Sequence, residues 1–478
     1  MTGHIVIVGY GMAGARLATE LHARNGDRKV TVLGAEPHRA YNRIMLSTLL
    51  AGKVDEPDVE LAEVAGQGTD VRTGAPVTAI DRAARTVRTP DGDLDYDHLV
   101  LATGSRAVVP PLAGLDPADL PPRVAVFRTL ADCRRILATA RSARTALVLG
   151  GGLLGLEAAR GLAARGLAVT VVHPHPHLME RQLDPTAGAV LAGTLAGLGV
   201  ATRLGVPATG LASDPDGVRL DLADGTALHA DLLVLSCGVR PDTDLAAAAG
   251  LAVDRGVLVD DRLRTADEAI SAIGDCARPP GQGPTGLVAP AWAQARVVAR
   301  LLTGEDPAAR YRPRPVVTRL KAAGIDLAAM GDPAGGPGEE LTFADPTRGT
   351  YARIRIHHDR LTGAILLGDN PAVGTVVQLF DRGAPVPTDR RALLLGRSIG
   401  NAPATPAASP ALMPDAATVC QCNDVDKGTL VRCWRAGART VDEVVAATRA
   451  GTGCGGCRQA VGGIVDWLSG VDSVGTTR

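Results

Sequence analysis

The chain predicts an α/β fold of several domains. Three observations predict it: a strand, glycine-rich loop, helix and strand at residues 4–33, the same unit again at 145–172, and a cysteine-bearing run of short helices after residue 417. At 478 residues the chain exceeds what one compact core sustains, and 46% apolar content supports two to four folded domains. Lys and Arg number 50 against 51 Asp and Glu, so no global field steers the chain to nucleic acid or a membrane surface. Apolar runs such as 99–102 and 146–149 fall far short of the roughly 20 residues of a membrane span and read as buried parallel strands.

The first unit runs from a strand at 4–9 through the loop Gly9-Tyr10-Gly11-Met12-Ala13-Gly14 into a helix over 12–23 and a strand over 30–33. That glycine spacing lets a tight turn bring backbone N–H groups and a helix N-terminus up to a pyrophosphate, which makes Gly9, Gly11, Met12, Ala13 and Gly14 candidate cofactor-binding residues. Glu36, 22 positions after Gly14, sits where a carboxylate accepts ribose hydroxyls.

The second unit repeats the pattern at Gly150-Gly151-Gly152-Leu153-Leu154-Gly155, with Gly150, Gly152, Leu153, Leu154 and Gly155 as candidates. Eighteen positions after Gly155 stands His173, so the expected ribose carboxylate is missing, and no arginine replaces it; NADH is favoured over NADPH.

The runs at 233–238, ending in Gly238, and at 270–275 suggest that the chain returns to its first domain. Residues 1–114 and 241–309 then form one domain with 115–240 inserted. Short β-rich runs over 310–396, clearest at 351–356, predict a small α+β interface domain. Prolines 403, 406, 410 and 414 mark 397–417 as a semi-rigid linker, and helices are expected at 427–436, 441–449 and 458–468.

Those helices are bracketed by Cys420 and Cys422, then, 31 residues on, Cys454 and Cys457. Four thiolates so spaced can enclose one metal centre, and by chemistry alone iron–sulfur and zinc are both open. Eight cysteines are too few for a disulfide scaffold, which fits a reducing compartment. The sequence opens directly on a strand, with no basic region, apolar signal core or cleavage site, so a cytoplasmic location is expected.

With Ala102-Thr103-Gly104-Ser105 and Ile273-Gly274-Asp275 between and after the two loops, residues 1–310 resemble the FAD- and NAD(P)H-dependent two-dinucleotide-binding reductases. The resemblance implies a flavoprotein: an FAD domain with an inserted NAD(P)H domain. It puts Thr103 and Gly104 near the flavin diphosphate, Asp275 on the ribityl or pyrophosphate portion, and Glu157 beside the nicotinamide. Blander readings are a solvated turn carboxylate for Asp275 and a helix first-turn acid for Glu157. A helix from Ala289-Pro290-Ala291-Trp292 would aim its N-terminus at the flavin's pyrimidine end, with Trp292 there or in plain core. Gly238 joins the cofactor-binding set.

Many relatives carry a redox cysteine in the stretch corresponding to 41–48, but the first cysteine here is Cys133, which disfavours a disulfide reductase or a cysteine-based peroxidase. Tyr41-Asn42-Arg43-Ile44-Met45-Leu46-Ser47-Thr48 instead resembles the flavin half of bacterial NADH-dependent nitrite reductases, with Arg43 and Ser47 as flavin-binding candidates. Residues 318–326 and 363–370 extend that likeness. The C-terminal cysteine pattern resembles bacterioferritin-associated ferredoxin-like domains, small helical folds holding a 2Fe-2S cluster, and an upstream flavin favours such a one-electron centre over zinc. No sirohaem domain precedes Arg478, so electrons are expected to pass to a separate nitrate or nitrite reductase catalytic subunit. The alternatives are a ferredoxin or rubredoxin reductase of an oxygenase system and a non-catalytic redox- or iron-sensing module.

Overall fold

The computed structural model describes residues 3–24, 28–62, 68–283, 285–333, 335–396, 410–420, 423, 425–452 and 457–475. His4–Val8 is apolar and buried from Ile5 onward, on both faces, as a parallel strand covered by helices on each side must be. It lies at the centre of a parallel five-stranded sheet ordered Ile270–Ala272, His98–Leu101, His4–Val8, Lys29–Gly34, Thr69–Thr73. The helices Met12–Arg24 and Val288–Thr303 pack together beside it.

A second parallel sheet is ordered Val200–Leu204, Ala168–His173, Thr145–Leu149, Leu232–Leu235, Val124–Val126. The expected α/β class is therefore present, with both glycine loops at the carboxyl ends of central strands. Of the two runs read as the return to the first domain, Ile270–Ala272 joins the first sheet, whereas Leu232–Leu235 remains in the second. Antiparallel pairing of Ser105–Ala107 with Val239–Pro241 links the two units. Two three-stranded antiparallel sheets, Ala79–Asp81 with Thr86–Thr89 and Gly92–Asp95, and Ala208–Ser213 with Val218–Leu222 and Ala227–Ala230, were not foreseen.

The units share a core. The short helix Leu46–Leu50 buries Leu46, Leu49 and Leu50 among Phe127, Ile136, Leu156 and Leu162 of the second unit. Arg165 closes the seam by donating to the Leu49 and Leu50 carbonyls.

A third, antiparallel sheet follows, ordered Val317–Leu320, Leu327–Gly331, Arg360–Leu367, Thr350–His357, Glu339–Asp345, with the helix Val373–Arg382 on one face. Asp184 locks this sheet to the second unit. Its carboxylate caps the helix Pro185–Gly197 by accepting from Ala187 N at 2.9 Å, and it also accepts from Tyr351 Oη at 2.7 Å and Arg353 Nη1 at 3.1 Å. The C-terminal segment holds the helices Lys427–Arg435, Val441–Thr448 and Arg458–Gly475, the last running seven residues beyond its expected end. Residues 397–409 of the Pro/Ala-rich stretch lie outside the described residues. Among the described residues, no helix is long and apolar enough to cross a membrane.

His98 opens the strand leading to Thr103, with Nε2 3.0 Å from Ser271 Oγ. Burial, reinforced by the charge of Arg264, pushes its pKa down to about 4. Between that value and the unfolded value of about 6.5, the unfolded chain binds a proton that the folded one does not, so stability is present above about pH 6.5 and is lost as pH falls towards 4. His98→Gln, which keeps a donor near Ser271, is expected to remove about 2–3 kcal/mol of the stability lost between about pH 7 and pH 4.5. Urea unfolding midpoints check this, and identical slopes for the two proteins would exclude His98 as the responsible group.

Candidate active site

Each glycine loop is set by backbone-to-backbone approach. At Gly9, φ is +112° and a Cβ would stand 2.2 Å from Ala102 O; at Gly150, φ is +124° and a Cβ would stand 2.1 Å from Ser236 O. Gly14 and Gly155, where each helix leaves its loop, would bring a Cβ to 1.9 and 2.0 Å from the Gly9 and Gly150 carbonyls. No other residue fits these four positions. Gly11 and Gly152 differ. A Cβ at Gly11 would meet nothing nearer than Arg43 Nε at 3.9 Å, and one at Gly152 nothing within 4 Å. The helix N-termini behind them carry N–H groups with no intrahelical acceptor, so both loops fit a diphosphate.

One cleft of about 1960 Å³ gathers most of the expected residues: Gly9, Gly11, Met12, Ala13, Glu36 and Arg43; Thr103, Gly104, Asp275 and Trp292; and Leu153, Leu154 and Glu157 from the second unit. Gly14, Gly150, Gly152, Gly155 and Gly238 do not line it, and Ser47 is buried with its Oγ lacking a hydrogen-bond partner. Among the described lining residues, thirteen are Arg or Lys and five are Asp or Glu. In a chain of net charge −1, this concentration of cations fits a dinucleotide's phosphates.

The acids of the cleft are held in place. Glu36 pairs with Arg43 and accepts from Tyr41 Oη at 2.7 Å, while Tyr41 Oη itself accepts from Leu130 N at 3.0 Å. Asp275 is no solvated turn carboxylate: its side chain is 16% exposed and pairs with Arg128 at 2.7 Å, and Ser105 Oγ donates to it at 2.9 Å. Thr103 Oγ1 donates to Asp242 O at 2.6 Å, fixing the turn before Gly104. Trp292 is buried, and its Nε1–H donates to Met12 O at 3.2 Å, tying the helix Val288–Thr303 to the first loop. Glu157 is 7% exposed and accepts from Lys321 N at 3.3 Å, so the third sheet closes over the second loop.

Sequence reasoning missed Arg128, Ser105, Arg319 and Lys321 as cleft residues. Arg128 immediately precedes the capping box Thr129 to Asp132, Ser105 ends the run already singled out at 102–105, and Arg319 and Lys321 lie in the stretch singled out at 318–326, so a signal was present for each.

The cysteine segment borders the same cleft through Thr418, Val419, Cys457 and Ala460. Cys420, 1% exposed, and Cys457, 9% exposed, share one buried cluster with Val425, Leu430 and Trp434; Cys422 and Cys454 lie outside the described residues. Two thiols in one apolar cluster fit a soft metal centre. Asn423 receives a hydrogen bond on Oδ1 from Asn42 Nδ2 at 3.1 Å, and Arg449 donates to Glu60 O. Elsewhere burial pushes the Cys133 thiol up to about 12 and Cys237 up to about 11, which suits inert packing.

Two parallel sheets, each with a glycine loop at the carboxyl end of its central strand, and one basic cleft lined from both units define a two-dinucleotide-binding oxidoreductase. The chain belongs to the pyridine nucleotide-disulphide oxidoreductase family, which it matches over residues 3–295. Residues 316–382 match the rubredoxin NAD+ reductase C-terminal domain, and 418–467 a BFD-like [2Fe-2S] binding domain. FAD, NAD(P)H and a 2Fe-2S cluster are the cofactors these matches carry.

Among similar proteins, nitrite reductase [NAD(P)H] of Bacillus subtilis (strain 168) is 35% identical over 98% of this chain and 58% of its own length. The assimilatory nitrate reductase electron transfer subunit of the same organism is 32% identical, over 97% of this chain and 60% of its own length. The chain thus spans about three fifths of these two relatives. In the solved covalent putidaredoxin reductase–putidaredoxin complex, a chain 28% identical to this one superposes with a TM-score of 0.73, covering 80% of this chain and 94% of that one.

Asp275→Asn, which removes the charge facing Arg128, is expected to lower flavin affinity by about tenfold. Flavin retained per chain after gel filtration measures it; unchanged retention would remove Asp275 from the flavin site.

Proposed function

We propose that this chain is an NAD(P)H-dependent reductase that delivers electrons, by way of FAD and a 2Fe-2S cluster, to a separate assimilatory nitrate or nitrite reductase catalytic subunit. The observation that carries the reading is the single cleft walled by both nucleotide units and by the cysteine segment at Cys457. FAD held at the first glycine loop would supply hydride acceptance from NAD(P)H and release of single electrons, and a cluster held by the C-terminal cysteines would supply one-electron transfer.

The chain's own groups do the rest. Backbone N–H groups at 11–13 and 152–154 receive the two diphosphates, and Glu36, oriented by Arg43 and Tyr41, accepts ribose hydroxyls. Thr103, Gly104 and the pair of Arg128 with Asp275 hold the flavin's diphosphate and ribityl side. Leu153, Leu154 and the buried Glu157 position the nicotinamide, and the strand Val317–Leu320 with Lys321 screens it from water. Cys420, Cys422, Cys454 and Cys457 supply the cluster's ligands. Thiolate ligands of this kind, with too few cysteines for a disulfide scaffold, support a reducing, cytoplasmic compartment.

The names of the two Bacillus subtilis relatives support the acceptor. A second reading, a reductase for an oxygenase with the cysteine segment as a tethered ferredoxin, draws on the match at 316–382 to the rubredoxin reductase domain. Reconstitution with each catalytic partner separates the two: NAD(P)H-driven nitrate or nitrite reduction is expected, and turnover with an oxygenase alone would favour the rival.

An anaerobic NADH titration followed by visible absorbance and electron paramagnetic resonance is expected to show flavin bleaching together with a cluster signal. Bleaching without that signal would make the cysteines a zinc site or an empty one. Substituting Ala for both Asn42 and Arg449 is expected to slow the rise of the cluster signal roughly tenfold while leaving flavin bleaching unchanged, because each contact across the seam is worth about 1 kcal/mol. An unchanged rise would detach those contacts from electron delivery.

A further inference from the structure

His173 occupies the end of the strand Ala168–His173, where a ribose carboxylate is missing from the second nucleotide unit. The ring is 5% exposed and its hydrogen bonds fix its state: Nδ1 accepts from Gly151 N at 3.1 Å, so the ring proton sits on Nε2 and is donated to Glu180 Oε2 at 2.9 Å. The segment between them is folded back onto the glycine loop. Met179 N donates to Gly151 O at 3.0 Å, so both backbone groups of Gly151 are held by residues 173–179. Gly151 has no room for a side chain there, since a Cβ would stand 2.7 Å from Leu178 Cδ2 and 2.8 Å from His173 Cγ.

Met179 is fully buried at φ +51°, a left-handed conformation that costs a non-glycine residue on the order of 1 kcal/mol or more and persists only where its surroundings impose it. The next residue is Glu180. Its side chain is 28% exposed, and Oε1 lies 3.8 Å from His175 Nε2, beyond hydrogen-bond reach. Among the described residues no arginine or lysine forms an ion pair with it. Burial works against its ionisation, but its own backbone N–H and His173 outweigh that and hold the carboxyl below its usual range.

We infer that Glu180 is the carboxylate that receives the nucleotide ribose hydroxyls at the second glycine loop, with His173 as its positioning residue, and that it selects NADH by setting a negative charge where a 2′-phosphate would lie. The inference rests on the proposed function, in that NAD(P)H binds this loop. The sequence position that ordinarily carries the acid has been given to an imidazole, and the acid arrives seven residues later on a strained turn that delivers it to the same loop.

Equilibrium binding of the non-reducing nucleotides NAD+ and NADP+ to the full flavin-loaded protein, read by calorimetry, tests this apart from turnover. The intact protein is expected to bind NAD+ at least about tenfold more tightly than NADP+. Glu180→Arg should narrow or reverse that ratio by about tenfold or more, and Glu180→Gln should weaken NAD+ while strengthening NADP+. His173→Phe should shrink the preference with the flavin spectrum unchanged, and Glu180→Asp should retain its direction. Both nucleotides binding with a ratio that Glu180→Arg leaves unaltered would overturn the assignment alone. Binding of neither nucleotide to the intact protein would overturn the proposed function with it.

Discussion

Everything at the site depends on two places where backbone touches backbone with no Cβ between. Gly14 against the Gly9 carbonyl and Gly155 against the Gly150 carbonyl let each helix start directly off its strand. Gly9 against Ala102 and Gly150 against Ser236 draw the neighbouring strand ends into the same turn. The consequence is geometric: both helices present unbonded N–H groups at the carboxyl edge of a parallel sheet, where side chains from adjacent strands converge. Thr103 and Asp275 reach the cleft because their strands, His98–Leu101 and Ile270–Ala272, flank His4–Val8 in that sheet.

Charge follows from this geometry. A near-neutral chain builds a cleft in which cations outnumber acids by more than two to one, and three of those acids, Glu36, Asp242 and Asp275, are themselves paired with arginines lining the same space. Such pairing orients a carboxylate without cancelling the field a diphosphate experiences, because most of the surrounding arginines remain in excess. It also explains why the acids stay inside a cleft built for anions: each has a hydrogen-bonded partner that offsets the cost of burial.

Much of this was legible in the sequence because glycine spacing and apolar runs are local signals. The loops at 9–14 and 150–155 and the position of Glu36 could be read that way, whereas Asp275 came only through a family resemblance; the strands and helices around both loops fall where the periodicity put them. The burial of Ser47 away from the cleft had no local signal, because its neighbours Leu46, Leu49 and Leu50 are claimed by the core of the second unit, more than 75 residues away in the chain. Leu232–Leu235 and Ile270–Ala272 are alike as apolar runs, so only pairing partners separate the sheets they join. Nor does any local signal link Asn42 to Asn423, 381 positions apart. The absent carboxylate at His173 was visible, whereas its replacement by Glu180 depends on a turn at Met179 that no residue preference announces.

The seam between the cysteine segment and the first unit is built from small polar contacts: Asn42 with Asn423, and Arg449 with the Glu60 carbonyl. Hydrogen bonds of this kind contribute about 1 kcal/mol each, far less than the roughly 4 kcal/mol that corresponds to a millimolar association. The chain itself supplies the difference, because a tether keeps the segment at an effective concentration on the order of millimolar near its seat. A contact of that strength suits the electron transfer proposed above. It seats Cys457 at the cleft wall, and because its groups are polar, water can satisfy them as well as the partner groups do, so the seam involves no hydrophobic core. The apolar cluster around Cys420, Leu430, Trp434 and Cys457 lies within the segment and not across the seam, so the segment carries a core of its own.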